Sequence, residues 1–138
     1  MMDATLRKTA VFGWYLLAVS LPAGLTLEAL HALKIQVYLG STMRRELWTL
    51  AHAHGNVLGV LCLTFAAVAD RFLVDAALVA RSARFLRIGS VLMPLGFFAG
   101  GILNFEGDPS PAVLLVPVGG LCLLYSLVSA ARAAGSRS

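Results

Sequence analysis

Charge is what this sequence has least of. Asp, Glu, Lys and Arg make up 13% of the 138 residues while 59% are hydrophobic, and the mean hydropathy is +0.82, too apolar for a soluble domain and too short for two domains. The few charges gather in short stretches, and the long neutral segments between them read as membrane spans. Cysteine is almost missing. Cys62 and Cys122 both fall inside apolar segments, where a thiol is a small hydrophobe, so a disulfide is not expected. No Cys-x-x-Cys-His occurs, which excludes covalent c-type haem attachment. Nothing alternates with a period of two, which excludes a transmembrane barrel and leaves helices, the other backbone that satisfies its own hydrogen bonds in lipid.

What is present is four apolar segments, over residues 10–33, 47–68, 85–103 and 111–131, each near the ~20 residues a helix needs to cross the hydrocarbon core. The expected fold is therefore all-α, a single four-helix transmembrane domain over residues 1–138. Connections of about 13, 16 and 7 residues are short enough to set consecutive helices antiparallel in an up-down bundle. With the N-terminus inside, Arg7, Lys8, Arg71, Arg81, Arg84, Arg87, Arg132 and Arg137 are cytoplasmic and Lys34, Arg44 and Arg45 are outside, which obeys the positive-inside rule. Both termini are thus expected in the cytoplasm, as in a bacterial inner-membrane protein. The basic start resembles a signal peptide, but the apolar stretch is long and carries no convincing small-x-small cleavage site before the next charges, so it reads as the first helix. A net charge of +4 and a pI near 9.6 reflect this topology and anionic lipid, and give no reason to expect nucleic acid.

Against this background the segment His52-Ala53-His54-Gly55 stands out, because ionisable groups are costly in a span and imidazole finds its best partner in a metal or haem iron. Counting inward from Trp48, His52 and His54 lie ~6 and ~9 Å deep, in the extracytoplasmic third, and His31 sits at the outer end of the first span. Residues at i and i+2 are about 200° apart on a helix, so the two rings cannot reach one ion; they serve two sites, between cofactors or between chains. Gly55 and Gly59 give the helix a small face that a flat macrocycle or another backbone can approach. Asn56, four residues after His52, is placed to hydrogen-bond its ring or a haem propionate region.

The stretch Leu50-Ala51-His52-Ala53-His54-Gly55-Asn56-Val57-Leu58-Gly59 resembles the histidine-bearing helix of haem-copper oxidases and nitric oxide reductases, where a His-x-His pair sends its rings to two haems. In that family the catalytic subunit is twelve helices in three arcs of four, and the second helix of an arc carries histidine ligands; here too the pair is on the second of four. The resemblance implies a homotrimer in which three copies replace the three arcs. His52 of one subunit and His54 of its neighbour would then be the axial ligands of a b-type haem at each interface, with Arg44 and Arg45 in the outer loop near the propionates. The family's adjacent His-His pair and cross-linked tyrosine have no counterpart, since Tyr38 falls in a loop. Electron transfer, haem carriage or a simpler redox reaction with a redox partner is therefore expected, an oxidoreductase role being open, and proton pumping is not.

A second motif, Glu28-Ala29-Leu30-His31, puts a carboxylate and an imidazole about 60° apart on one face, the Glu-x-x-His arrangement of carboxylate metal bundles. With one member of the pair it would make a copper or zinc site for binding or transport; alternatively Glu28 pairs with Arg44 or Arg45. A third reading is a metal-free accessory subunit with hydrogen-bonded histidines. Among the rest, Trp14, Tyr15 and Trp48 read as interfacial anchors, Gly96, Gly100 and Gly101 as a close-packing face, and Pro22, Pro94 and Pro117 as kinks. Asn104, Glu106 and Asp108 rim the outer side, and Asp108-Pro109-Ser110-Pro111 is a turn and N-cap into the last helix.

Overall fold

The computed structural model describes residues 3–73, 75–102 and 108–135, with the backbone alone at 72, so Asn104 and Glu106 lie outside the described residues. Among the described residues the chain forms α1 (Ala4–Ala32), a single turn α2 (Gln36–Leu39), α3 (Thr42–Phe72), α4 (Ala76–Ile102) and α5 (Leu115–Gly135), the last entered through a 3-10 turn at Pro111–Leu114. The protein is all-helical there, and α1, α3, α4 and α5 with its 3-10 turn are each long and apolar enough to cross a membrane.

Most of the spans outrun their apolar cores, because capping residues let helices begin among the charges. The Asp3 carboxylate accepts the Thr5 and Leu6 N–H groups at 2.8 and 3.4 Å, so α1 starts at Ala4 and not at residue 10. Those same bonds favour the ionised acid and hold its pKa below the ordinary 3.8. Ser41 Oγ accepts from the Arg44 N–H at 3.2 Å, which brings Arg44 and Arg45 into the first turn of α3 and out of the expected loop. Asp75 accepts the Ala77 N–H at 2.8 Å, and α4 then runs through Arg81 and Arg84. The long second connection expected from those arginines shrinks to residues 73–75, since arginine is a good helix former whose stem lies along apolar surface. Ser110 does not cap with its side chain; its hydroxyl donates to the Ala99 carbonyl at 3.0 Å and ties the start of the last span to α4. Pro22 and Pro94 stand inside helices, whereas Pro117 falls in the first turn of α5, where its missing N–H breaks no bond.

Contacts between helices run in opposing order, which makes each neighbour antiparallel. Gly13 meets Gly59, Ser20 meets Gly55 and Gly24 meets His52 between α1 and α3. Between α4 and α5, Gly89 meets Gly119 and Gly96 meets Val116. The sequence of packing is α1 on α3, α3 on α4 and α4 on α5, with lesser contacts between alternate helices, while α1 and α5 do not meet among the described residues. The four spans thus make an open row and do not close on themselves.

Packing is densest at the end that holds both termini. Leu6, Leu58, Cys62, Phe65, Ala69, Leu73, Val79, Ala83, Leu86 and Leu123 bury one another there. Outward faces carry exposed apolar side chains such as Val19 (69%), Leu25 (68%) and Leu121 (66%), which suits lipid and not water. The opposite end is held by polar clasps and stacked rings, and the histidines lie toward it.

Candidate functional site

His52 and His54 leave α3 on opposite flanks, as their separation of about 200° demands. His52 turns to α1. Its ring covers Gly24, where an added Cβ would stand 2.2 Å from Cε1 and 2.6 Å from Nε2, so this position has room for hydrogen alone. Nδ1 lies 2.8 Å from the Ser20 carbonyl oxygen. Because a carbonyl can only accept, Nδ1 carries the proton and Nε2 keeps its lone pair. The Asn56 amide nitrogen, one turn along α3, lies 3.2 Å from Nδ1 and 3.3 Å from Nε2, so it reaches the ring as its spacing predicted, with Nε2 the ring atom able to accept.

His54 turns to α4, its ring centroid 4.9 Å from that of Phe97. Its Nδ1 donates at 2.8 Å to the carbonyl of Leu50, one turn back on the same helix. Here too Nε2 is left with its lone pair. Both imidazoles are half-buried, and since α3 begins at Thr42 they stand ~15 and ~18 Å along it. The arrangement offers two imidazoles, each with Nδ1 held by a backbone carbonyl, with their Nε2 atoms on different sides of one helix.

The small face beside them is taken by protein. A Cβ on Gly55 would fall 2.0 Å from Ser20 Oγ, and one on Gly59 2.8 Å from Leu17, so both glycines serve the approach of α1, the backbone alternative of the two that the sequence allowed. Gly96 similarly admits Leu115 and Val116, and Gly101 admits the Trp48 indole.

Arg44 has a role that the sequence did not suggest. Its Nε donates to the Gly101 carbonyl at 2.9 Å, Nη2 reaches the Ile102 carbonyl at 3.5 Å, and Nη1 donates to the Val37 carbonyl. The guanidinium therefore closes the C-terminal end of α4, where carbonyls lack helical partners and the helix dipole favours a cation. Arg44 stands in the first turn of α3 and not in an open loop. Trp48 completes the clasp. It stacks on Tyr38 and Phe98 at centroid distances of 6.1 and 5.4 Å and donates its Nε1–H to the Phe98 carbonyl at 3.1 Å. Trp48 is thus packed between helices where an interfacial anchor was expected, and Tyr38 is buried on α2 where a loop was expected. Trp14 and Tyr15 are exposed at 64% and 70%. Arg45 is half-buried and bonds Thr42 at 3.3 Å.

Glu28 and His31 are both exposed near the end of α1, and Glu28 makes no ion pair with Arg44 or Arg45 among the described residues. No group of three or more His, Cys, Asp or Glu side chains comes together there to hold a metal, so a Glu28–His31 site with one of the pair does not form within the described chain. Asp108 is an exposed residue ahead of the 3-10 turn.

Ser20 and Gly24 are the residues that sequence reading missed. Their signal was available as a small-x-x-x-small pair inside the first span, a spacing that lets another helix come close. Compared with known proteins, the chain matches no family model, no curated protein and no solved structure.

Proposed function

We propose that this chain is a haem b-binding redox protein of the bacterial inner membrane, with both termini cytoplasmic, that works in electron transfer as a homotrimer resembling a minimal haem-copper oxidase unit. In this reading His52 of one subunit and His54 of its neighbour are the two axial ligands at each of three interfaces, near the extracytoplasmic side. The observation that carries it is the pair itself: two imidazoles on opposite flanks of α3, each with Nδ1 bonded to a carbonyl and Nε2 as its lone-pair nitrogen. The open row of four spans supports it further, because an arc with two uncovered edges is the shape that three copies need to take the place of three arcs.

Within one chain His52 packs on α1 and His54 on α4, so this reading requires each ring to swing away from its own neighbour to reach a haem between subunits. A b haem needs no covalent attachment and, when bound, supplies one-electron chemistry that no side chain here provides. Ser20 and Leu50 fix the tautomers, Gly24 gives His52 its place, and Asn56 holds the His52 Nε2 with a neutral amide that iron would displace. Arg44 and Arg45, in the first turn of α3, are the cations that would face the propionates.

The experiment is an absorption spectrum of the purified protein with native mass spectrometry. A Soret band that sharpens on reduction, is lost in both His52→Ala and His54→Ala, and accompanies a trimer supports the proposal. A stable monomer or dimer removes the inter-subunit ligands. A colourless protein with stoichiometric copper or zinc assigns the chain to metal binding, and neither haem nor metal leaves an accessory subunit.

A further inference from the structure

Arg87 takes no part in the histidine site. It is half-buried on α4, and its side chain crosses to α1, where Nη1 donates to the Thr9 hydroxyl at 2.7 Å. Thr9 is fully buried and passes its own hydroxyl proton to the Thr5 carbonyl at 2.9 Å. Arg87 makes no other hydrogen bond and no ion pair among the described residues, with the Cys62 thiol a further electrostatic neighbour, so most of its five N–H donors lack a protein partner there. Asp3, the acid of the α1 N-terminus, is committed to its own helix cap. A cation in this position calls for an anion.

The bond to Thr9 fixes the depth of the guanidinium. Thr9 directly follows Arg7 and Lys8, the charges that open α1, and is only ~1.5–3 Å farther along the helix axis. On the membrane reading, that is the boundary between lipid headgroups and acyl chains. Arg84 lies one turn back on α4 and is exposed, and from it an exposed lane continues along the same face through Ile88 (37%), Val91 (43%) and Leu95 (47%). Two guanidinium groups at the head of an apolar lane match a phosphate with hydrocarbon chains; a free anion has no use for the lane.

We propose that Arg87 and Arg84 bind the phosphate of an anionic phospholipid where α4 meets α1, with Thr9 positioning the Arg87 guanidinium and the acyl chains lying along Ile88, Val91 and Leu95. This rests on the membrane reading and is independent of haem.

The test is thermal unfolding of the full chain in neutral detergent with added phosphatidylglycerol, phosphatidylcholine or inorganic phosphate. Phosphatidylglycerol is expected to raise the midpoint by on the order of 5 °C, and the other two to leave it unchanged. Arg87→Gln and Arg84→Gln should each lose at least half of that rise, while Arg132→Gln, at the far end of the row on α5, should keep it. Because Arg84 is exposed, its substitution removes charge without disturbing packing, and it decides the matter even if Arg87→Gln fails to fold. An equal rise with phosphatidylcholine, a rise with phosphate alone, or an equal loss in Arg132→Gln overturns the proposal.

Discussion

Replacing Gly24 by alanine tests whether α1 sets the orientation of His52. The new methyl would begin 2.2 Å from Cε1 and 2.7 Å from Nδ1 of the imidazole. Ordinary carbon contacts lie at about 3.5 Å, so the ring must retreat by more than ~1 Å. That retreat carries Nδ1 out of hydrogen-bond range of the Ser20 carbonyl, now 2.8 Å away. Overpacking of this kind costs ~1–3 kcal/mol and the lost bond ~1 kcal/mol, against ~1 kcal/mol gained from the better helix propensity of alanine. The expected net is a destabilisation of about 2 kcal/mol. Reversible unfolding in mild detergent measures it, and nitrogen NMR of the imidazole reports whether Nδ1 still holds the proton. Gly120→Ala is the control, because there a Cβ meets only Met93 Cε at 3.4 Å and the propensity gain stands alone. If Gly24→Ala is as stable as Gly120→Ala and His52 keeps the parent tautomer, the positioning role of α1 is refuted.

Further predictions follow from the other clasps. Arg44→Ala should cost about 2 kcal/mol and speed amide exchange in the last turn of α4, and Arg44→Lys should restore little, because an ammonium cannot reproduce a planar fork spread over three carbonyls. Ser126→Ala removes the 2.9 Å bond to the Ser82 carbonyl between α5 and α4 and should lower stability by ~1 kcal/mol in the same unfolding assay. The Asp3 pKa is depressed in the folded chain, so its cap is complete above the ordinary 3.8 and is lost as the pH falls through the lower folded value. NMR shifts of Thr5 and Leu6 should therefore fray from helical values only below about pH 4, and Asp3→Asn, which caps without titrating, should abolish that dependence.

Hydropathy was enough to find the spans, because lipid forces every apolar segment of that length to satisfy its own backbone. It was a poor guide to their ends. Asp3, Ser41 and Asp75 cap helices inside stretches that look like loops by charge, and Arg81 and Arg84 ride on α4 although they resemble a connection. The divergence of His52 and His54 was legible because it depends only on helix pitch, and so was the reach of Asn56. Which surfaces the rings would meet was not legible, since Ser20 and Gly24 belong to a helix distant in sequence and the register between helices is set by side-chain packing. Arg44 was misread for the same reason: its partners at Gly101 and Ile102 are remote along the chain.

The two imidazoles differ in who holds them. His54 takes its carbonyl from Leu50 on its own helix, so α3 alone fixes that ring as soon as it is helical. His52 takes its carbonyl from Ser20, and so has no defined tautomer until α1 has docked. A defect in the docking of α1 on α3 would therefore remove the Ser20 bond of His52 while leaving the Leu50 bond of His54 in place.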